Sequence, residues 1–448
     1  MKTASPGFAR ALIKPSARGL ALRALAAWDK SGEPLRGFLE ACGADAAPAD
    51  RALARDLALG VARRLNTLDW VLSPLLSRPF VSLDPSVRAA LRLGAWQLLY
   101  AADRFPAYAA VHDTVSIAGP RAKGLVNAVL RSLQRKGRPP EPADPVEKLA
   151  LEHSYPAWLV KRWMARWGLE TAGRVMEAGN AEPPMTLRAN RLKTTAGDLA
   201  NLLRAEGRKA ETTLLSPDGV RVEKAFSLTD HPAFREGLFS VQDEAAQLAV
   251  HALDPRPGET VLDLCAGAGG KSGHMAERME NRGRVVAVDS DRARLENLRR
   301  TAARLGLGIV ETVAGDARKA GDRWPGGFDR VLVDVPCSGL GTIRRRPDIK
   351  WVRGEEDVRT RLPALQKEIL RSAAKALKPG GALVYATCTT EPEENEDVVR
   401  ILLSERPDIR LEPAPLPAGL VSPDGFARLR PDLHGTDGFF LASLRLGT

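Results

Sequence analysis

The chain has 448 residues, of which 44% are hydrophobic and 27% charged, with a formal net charge of +11. This composition excludes a disordered or fibrous chain and is typical of a folded protein of roughly three domains at about 150 residues each. Every apolar run is shorter than the roughly 20 residues that span a bilayer, and the basic N-terminus lacks the apolar core of a secretory signal, so we expect a cytoplasmic protein without a membrane segment.

The positive charge is concentrated in the first third of the chain. Residues 1–140 carry 21 Lys and Arg against 10 Asp and Glu, whereas the rest of the chain balances at 45 of each. Such asymmetry indicates an anionic partner, with nucleic acid as the leading candidate and a merely solubilising surface as the alternative.

The first predicted elements are helices. Apolar residues recur every four positions over 53–65, which is one helical stripe, and Asp84 before Pro85 predicts the start of another helix. The proline-rich segment 137–145 cannot continue a helix and is interpreted as a linker. Residues 146–240 begin helically and then become mixed, which predicts a small α+β module.

From residue 241 onward, short runs rich in β-branched residues alternate with amphipathic helical stretches. The runs are TVLDLCA, RVVAVDSD, GIVETVAGDA, FDRVLVDVPC and GALVYATC. This alternation predicts a parallel, doubly wound α/β sheet. Ligands of such sheets bind beyond the carboxyl ends of the strands, so the residues that follow each run are the candidate site.

A glycine-rich turn follows the first run, in VLDLCAGAGGKSGHM. A P-loop would need glycine where Cys265 stands, and a dinucleotide fingerprint would need it where Ser272 stands, so neither motif fits. The glycines still allow a ligand to approach the backbone closely at the start of the next helix. We assign to cofactor binding the residues Cys265, Ala266, Gly267, Ala268, Gly269, Gly270 and Lys271.

Acidic residues at the next two strand ends extend this predicted pocket. Asp289 ends the second run, where a carboxylate can accept hydrogen bonds from ribose hydroxyls. Asp316 follows the third run, where it could meet the exocyclic amine of an adenine. Because no P-loop or basic cluster accompanies them to hold a polyphosphate, S-adenosylmethionine fits the pocket better than ATP or NAD.

Thiols follow two further strands. Asp334 and Cys337 stand in VDVPCSG after the fourth run, and Cys388 stands in YATCTTEPEEN after the fifth. With four cysteines, no C-x-x-C pair and six scattered histidines, we expect neither a disulfide framework nor a metal site. One such cysteine is usually structural, but two beside a methyl-donor pocket indicate nucleophilic chemistry.

These motifs resemble those of the Sun/RsmB-type RNA (cytosine-5) methyltransferases. The similar segments are SVQDEAAQL, DLCAGAGGKS, VVAVDSD, GDAR, LVDVPCSGLGTIRRRPDIKW, LVYATCTTEPEEN and TDGFFLASL. The helical first third is similar to the NusB RNA-binding fold, notably in GLVNAVLRSL. The resemblance implies a multidomain α and α/β protein with an all-helical NusB-like domain (1–140), a small α+β middle module (146–240) and a Rossmann-like S-adenosylmethionine-dependent methyltransferase domain (241–448).

The family resemblance also implies roles for three residues. Cys388 matches the nucleophile that adds to C6 of cytosine. This addition is needed because C5 alone is a poor nucleophile. Asp334 would hydrogen-bond the base near N3 and also lie near the cofactor, while Cys337 would help remove the C5 proton or otherwise permit elimination. One departure concerns the cofactor loop, which reads C-A-A-P-G-G-K in the family and carries Gly267 and Ala268 here, so we expect a more pliable loop.

A basic segment, TIRRRPDIKW, follows the Cys337 motif. Its cations beside Trp351 suit phosphate binding and base stacking, with a merely solvated loop as the alternative. We assign to RNA binding the residues Arg344, Arg345, Arg346 and Lys350.

The resemblance implies cytosine-5 methylation of small-subunit (16S) ribosomal RNA, and we expect a cytoplasmic monomer that needs no metal. The alternatives are the same chemistry on transfer RNA, and a non-catalytic RNA-binding assembly factor. The presence of both thiols together with Asp334 argues against the non-catalytic alternative.

Overall fold

The computed structural model describes residues 16–29, 31–223, 226–228 and 230–448. The first fifteen residues of the predicted helical domain, including its basic N-terminal segment, lie outside the described residues. Two units are distinguished, the first comprising the described residues up to Asn180 with Arg346–Gly354, and the second comprising 181–345 and 355–448. Within the described ranges, every helix is too short or too polar to cross a bilayer.

The first unit is helical, as predicted for residues 1–140, but it continues to Asn180, into the segment that the sequence analysis assigned to the middle module. Its helices are α1 (Ala17–Trp28), α2 (Leu35–Gly43), α3 (Pro48–Arg63), α4 (Leu65–Leu72), α5 (Pro85–Tyr100), α6 (Ala107–Ile117), α7 (Lys123–Lys136), α8 (Pro145–Glu152) and α9 (Ala157–Asn180). Asp84 caps α5 by accepting a hydrogen bond from the Ser86 N–H at 2.8 Å, which confirms the predicted start of that helix. Leu57 and Val61 of the apolar stripe are fully buried and pack in the core of the unit.

A small α+β module opens the second unit. Its elements are β1 (Met185–Ala189), α10 (Ala196–Ala205), β2 (Ala210–Thr212), β3 (Gly219–Val222), α11 (Pro232–Arg235) and β4 (Phe239–Val241). The strands form an antiparallel sheet in the order β2-β3-β1-β4. This order, with two helices connecting the strands, is that of ferredoxin-like modules.

The predicted α/β alternation continues to the end of the chain. Its elements are α12 (Glu244–Leu253), β5 (Thr260–Leu264), α13 (Gly270–Arg278), β6 (Arg284–Asp289), α14 (Arg292–Leu305), β7 (Val310–Ala314), α15 (Ala320–Arg323), β8 (Phe328–Asp334), α16 (Ile349–Val352), α17 (Leu362–Lys375), β9 (Leu377–Thr387), α18 (Glu396–Glu405), β10 (Ile409–Glu412), β11 (Ala427–Leu429), α19 (Pro431–His434) and β12 (Phe439–Leu446). Of these, α16 belongs to the first unit.

The larger sheet has the strand order β10-β12-β9-β8-β5-β6-β7, with β11 paired to β12. Strands β5 to β9 are parallel, and β10, β11 and β12 are antiparallel. The chain runs from β5 outward to β7 and then crosses to β8 on the other side of β5. Ligands of such sheets bind where the strand order reverses, which here is the crevice beyond the carboxyl ends of β5 and β8.

Candidate active site

The glycine-rich loop connects β5 to α13. Cys265, Gly267 and Gly269 have positive φ angles of 63°, 58° and 84°. A Cβ at Gly269 would lie 2.3 Å from Leu298 Cγ, so α14 packs directly against this position. In contrast, nothing lies within 4 Å of a Cβ built at Gly267 or Gly270. The open space beside Gly267 and Gly270 therefore fits the close approach of a cofactor.

The Asp289 carboxylate joins this loop to the end of β6. Its two oxygens accept hydrogen bonds from the N–H groups of Gly267 and Asp291, each at 2.8 Å, and retain lone pairs for ribose hydroxyls. Asp316 pairs with Arg318 at 2.6 Å, and this hydrogen bond lowers the pKa of the Asp316 carboxyl. An adenine contact by Asp316 stays a prediction.

Lys271 on α13 and Asp334 at the end of β8 form an ion pair, with Nζ 2.6 Å from Oδ2. Burial opposes the charged ammonium, but the charge and hydrogen bond of Asp334 outweigh it and raise the pKa of Lys271. Negative charge on Cys388 acts in the same direction. Helix α13 thus supplies a cation within electrostatic reach of two of the three predicted catalytic groups, Asp334 and Cys388.

The two thiols that the sequence predicted for the chemistry meet. Cys337 Sγ lies 3.2 Å from Cys388 Sγ, and both residues are half-buried. The hydrogen bond with Cys388, followed by burial, raises the pKa of Cys337 well above its usual range. Cys337 therefore keeps its proton and can donate a hydrogen bond to the Cys388 sulfur.

A buried hydrogen-bond network, which sequence reasoning missed, holds the loop that carries Cys337. Glu394 Oε2 accepts from the Ser338 N–H at 2.7 Å and from Gln366 Nε2 at 2.9 Å. Ser338 Oγ donates to Thr389 Oγ1 at 2.8 Å, which ties the loop after β8 to the loop after β9. The only signal in the sequence was the acidic EPEEN segment that follows the second thiol.

Sequence reasoning also missed Asp263, a carboxylate inside strand β5. It is 1% exposed, and its Oδ2 accepts a hydrogen bond from Ser272 Oγ at 2.5 Å. Burial raises the pKa of Asp263 to about 7. The available signal was an acidic residue within an otherwise apolar strand, since burying a carboxyl group without a role is costly.

The structure corrects the prediction of a basic RNA-binding loop. Arg344 is 5% exposed, and Arg344 and Arg345 share ion pairs with Asp243 and Asp437 at 2.5 to 3.1 Å. Only Arg346 of the three consecutive arginines is exposed. The carboxylates come from segments about a hundred residues away, so the local sequence gave no sign that these guanidinium groups were already paired.

The last residue of that prediction, Lys350, is fully buried in the first unit. Its Nζ donates to the Arg63 carbonyl at 3.1 Å and to Asn180 Oδ1 at 3.2 Å, and lies 4.0 Å from the centre of the Tyr155 ring. Burial, followed by nearby arginines, lowers the pKa of Lys350 well below its usual range. Trp351 Nε1 donates to a backbone carbonyl of α3 at 2.7 Å, and the buried Lys350 ammonium is not available to RNA.

Among the described residues, the side chains of Asp218, His251 and His274 bring metal-ligand atoms within 4.8 Å of one another. Asp218 Oδ2 lies 3.0 Å from Nε2 of each histidine. Arg278 lies 3.1 Å from His251 Nδ1 and can only donate a hydrogen bond, so Nδ1 accepts and the ring proton is on Nε2, facing Asp218. Of these contacts, the one between His274 Nε2 and Asp218 Oδ2 is a hydrogen bond, whereas His251 Nε2 has no hydrogen-bond partner among the described residues.

Comparison with known proteins gives relatives for each part of the chain. The family model for 16S rRNA methyltransferase RsmB/F matches residues 250–445. The NusB family model matches residues 15–135, and the model of the RsmF/B-like ferredoxin-like domain matches residues 155–229. The helical, ferredoxin-like and Rossmann-like parts of the fold are thereby confirmed.

Similar proteins cover most of the chain. Ribosomal RNA small subunit methyltransferase B of Pseudomonas syringae pv. tomato is 41% identical over 88% of this chain and 89% of its own length. The crystal structure of PH0851 is 29% identical, with a TM-score of 0.82, and covers 96% of this chain and 99% of its own. NSun6 from Pyrococcus horikoshii, crystallised with the S-adenosylmethionine analogue SFG, is 25% identical with a TM-score of 0.60, covering 66% of this chain and 99% of its own.

Proposed function

The chain belongs to the RsmB/F family of S-adenosylmethionine-dependent 16S rRNA methyltransferases, and on that premise we propose that it methylates C5 of a cytosine in small-subunit ribosomal RNA. The reaction proceeds through a covalent bond between Cys388 and C6 of the base. The observation that carries this proposal is the 3.2 Å contact between the Cys337 and Cys388 sulfur atoms at adjacent strand ends.

The first step is addition of the Cys388 thiolate to C6. The S–C6 bond forms as the C5–C6 double bond opens, and the electron pair moves toward C5. The S–H group of Cys337 lies within hydrogen-bond distance of the attacking sulfur, and the ammonium of Lys271 adds a positive charge nearby. Asp334 holds the base near N3 while its other contact, the ion pair with Lys271, fixes its position beside the cofactor loop.

The second step converts the adduct to product. The glycine-rich loop, Asp289 and Asp316 would hold S-adenosylmethionine, which would supply an electrophilic methyl group to C5 as its S–CH3 bond breaks and the neutral thioether leaves. Cys337 then permits elimination by donating a hydrogen bond to the departing Cys388 sulfur. The C5 proton passes to solvent water, and the electrons of the C5–H bond re-form the C5–C6 double bond. The S–C6 bond breaks in the same elimination, so Cys388 leaves as a thiolate and the RNA is released.

The roles of the two thiols are separated by their alanine variants. Cys388→Ala should abolish methylation, because no other group adds to C6. Cys337→Ala should accumulate a covalent RNA–protein adduct, because addition proceeds and elimination does not. The adduct is measured as a shifted band on a denaturing gel, with Cys42→Ala, in helix α2, as the matched control that should methylate normally. An adduct formed by Cys388→Ala would reverse the assignment.

The substrate is identified by incubating the protein with tritiated S-adenosylmethionine and total RNA. Label in 5-methylcytosine of small-subunit ribosomal RNA is the expected result, and label in transfer RNA would favour the alternative substrate. Absence of label would favour a non-catalytic assembly factor. The proposal includes a cytoplasmic location, as a ribosomal RNA substrate requires, and a monomer whose thiol chemistry uses no metal.

The target base must leave its stack to reach thiols at the end of a sheet, so we propose unpaired or loop segments of RNA as substrate. This requirement follows from the addition step, since C6 is accessible to a thiolate only from above or below the plane of the base.

A further inference from the structure

Arg188, in β1, one of the two inner strands of the ferredoxin-like module, has a buried side chain. Its guanidinium forms an ion pair with Glu277, with Nη2 at 2.7 Å from Oε1 and Nε at 3.3 Å from Oε2. Its Nη1 donates to the Gly270 carbonyl at 2.6 Å and also to Gln242 Oε1. A buried guanidinium is tolerated only when its donors are satisfied, and here the partners that satisfy it lie largely on α13.

The two partners of Arg188 on α13 lie at opposite ends of that helix. Gly270 is the first residue of the helix and the last glycine of the cofactor loop, whereas Glu277 lies two turns later. One guanidinium therefore holds the helix at its beginning and near its end. Lys271, which pairs with Asp334, lies between these two points, so any shift of α13 moves both the loop and that ion pair.

A second buried contact joins the same module to the same helix. Asp218, which immediately precedes β3, accepts from Nε2 of His274 on α13 at 3.0 Å. The carboxylate also lies 3.0 Å from Nε2 of His251 on α12. The ferredoxin-like module thus contacts α13 through two buried polar clusters rather than through apolar packing alone.

We propose that Arg188 is a positioning residue for S-adenosylmethionine, which sets the conformation of the cofactor loop by holding Gly270 and Glu277. The ferredoxin-like module then acts as a brace for cofactor binding in addition to any contact it makes with RNA. This role concerns cofactor binding alone, so it does not depend on which base or which atom is methylated.

The test measures S-adenosylmethionine affinity by calorimetry on the full chain, without RNA. Arg188→Met leaves the Glu277 carboxylate buried and unpaired, so the double variant Arg188→Met with Glu277→Met removes both charges. We expect Kd to rise at least tenfold in both. Arg188→Lys keeps the positive charge but lacks the planar set of guanidinium N–H donors, so its Kd should be intermediate. This variant replaces the methionine variants in the test if they do not fold. Hydrogen exchange of residues 265–272 should increase in parallel.

The matched control is the ion pair between Arg330 and Glu259, at 2.6 Å near the amino ends of β8 and β5. Arg330→Met with Glu259→Met should lower Tm and leave the cofactor Kd unchanged. In turnover assays, the Arg188 variants should raise KM for S-adenosylmethionine more than they lower kcat. An unchanged Kd in the Arg188 variants, or an equal rise in the Arg330 control, would overturn the proposal.

Discussion

Three cysteine thiols lie at the carboxyl edge of the sheet, and their surroundings differ. Cys265 is raised in pKa by burial and by nearby carboxylates, so it stays neutral within the loop. Cys337 also stays neutral, but chiefly because its proton is shared with Cys388. Cys388 therefore stands apart as the thiol that can accept a hydrogen bond from Cys337 and that lies near the positive charge of Lys271. This difference supports the proposal that Cys388 is the nucleophile and Cys337 acts in the elimination.

Asp263 permits a prediction about stability and pH. Its folded-state pKa of about 7 lies above the roughly 3.9 of an unfolded chain, so its ionisation disfavours folding. The contribution of this group to stability falls as pH rises from about 4 through about 7, and is constant above that. Asp263→Asn keeps an acceptor for Ser272 and cannot ionise. The stability of the variant relative to the wild type should therefore increase over this window, by on the order of 3 to 4 kcal/mol.

Urea unfolding of both proteins at several pH values between 4.5 and 8 measures this difference. The comparison between the two proteins cancels the titration of all other groups. A difference that does not change with pH would mean that Asp263 is ionised in the folded protein throughout.

Among the elements, helix α13 carries several of the residues that form the predicted cofactor site. Its first turn supplies Gly270, Lys271 and Ser272, and the turn before it contains Gly267 in the left-handed region. The family pattern has alanine and proline where this chain has Gly267 and Ala268. A φ of 58° is easily adopted by glycine, so the departure agrees with the conformation of this loop.

Two alanine substitutions at the start of α13 should differ in effect. Gly269→Ala places a Cβ 2.3 Å from Leu298 Cγ at a φ of 84°, which should destabilise the protein by about 1 to 3 kcal/mol. Gly270→Ala meets no atom within 4 Å and lies in the helix, so stability should stay equal or rise by up to about 1 kcal/mol. Thermal unfolding of the two variants tests this, and equal losses would contradict the packing argument.

At the scale of the whole molecule, charge is divided unequally along the chain. Residues 1–140 carry 21 basic and 10 acidic residues. In the basic segment after β8, by contrast, Arg344 and Arg345 form ion pairs within the protein and Lys350 is buried. Helix α7 ends in a cluster of exposed cations. The cationic surface for RNA is therefore expected on the NusB-like part rather than on residues 344–350.

Salt dependence of RNA binding tests this assignment. Each phosphate contact on a single strand contributes about 0.7 to the slope of log K against log salt. The three exposed cations of α7 to be replaced by glutamine are Arg131, Arg135 and Lys136. Their replacement should reduce the slope of log K against log salt by up to about 2. An equal change of charge on α14 is the control, at Arg292, Arg299 and Arg300. An equal reduction by the control would indicate that only net charge matters.

The sequence by itself determined the elements and the edge of the sheet that carries the chemistry. Helix caps such as Asp84, the glycine-rich turn and the alternation of strands and helices depend on neighbouring residues. The parallel topology follows from that alternation, and it brings residues at successive strand ends together. For this reason Cys337 and Cys388, 51 residues apart, could be predicted to meet.

Only the tertiary structure decided which charges are paired. Arg344 with Asp437, Arg188 with Glu277 and Lys350 against Tyr155 join segments about 90 to 200 residues apart. A cation on the surface and a cation in a buried ion pair have the same local sequence, because the partner comes from elsewhere. Whether an arginine binds RNA, braces a cofactor helix or stabilises the interior therefore depends on which distant carboxylate the fold brings within hydrogen-bonding distance.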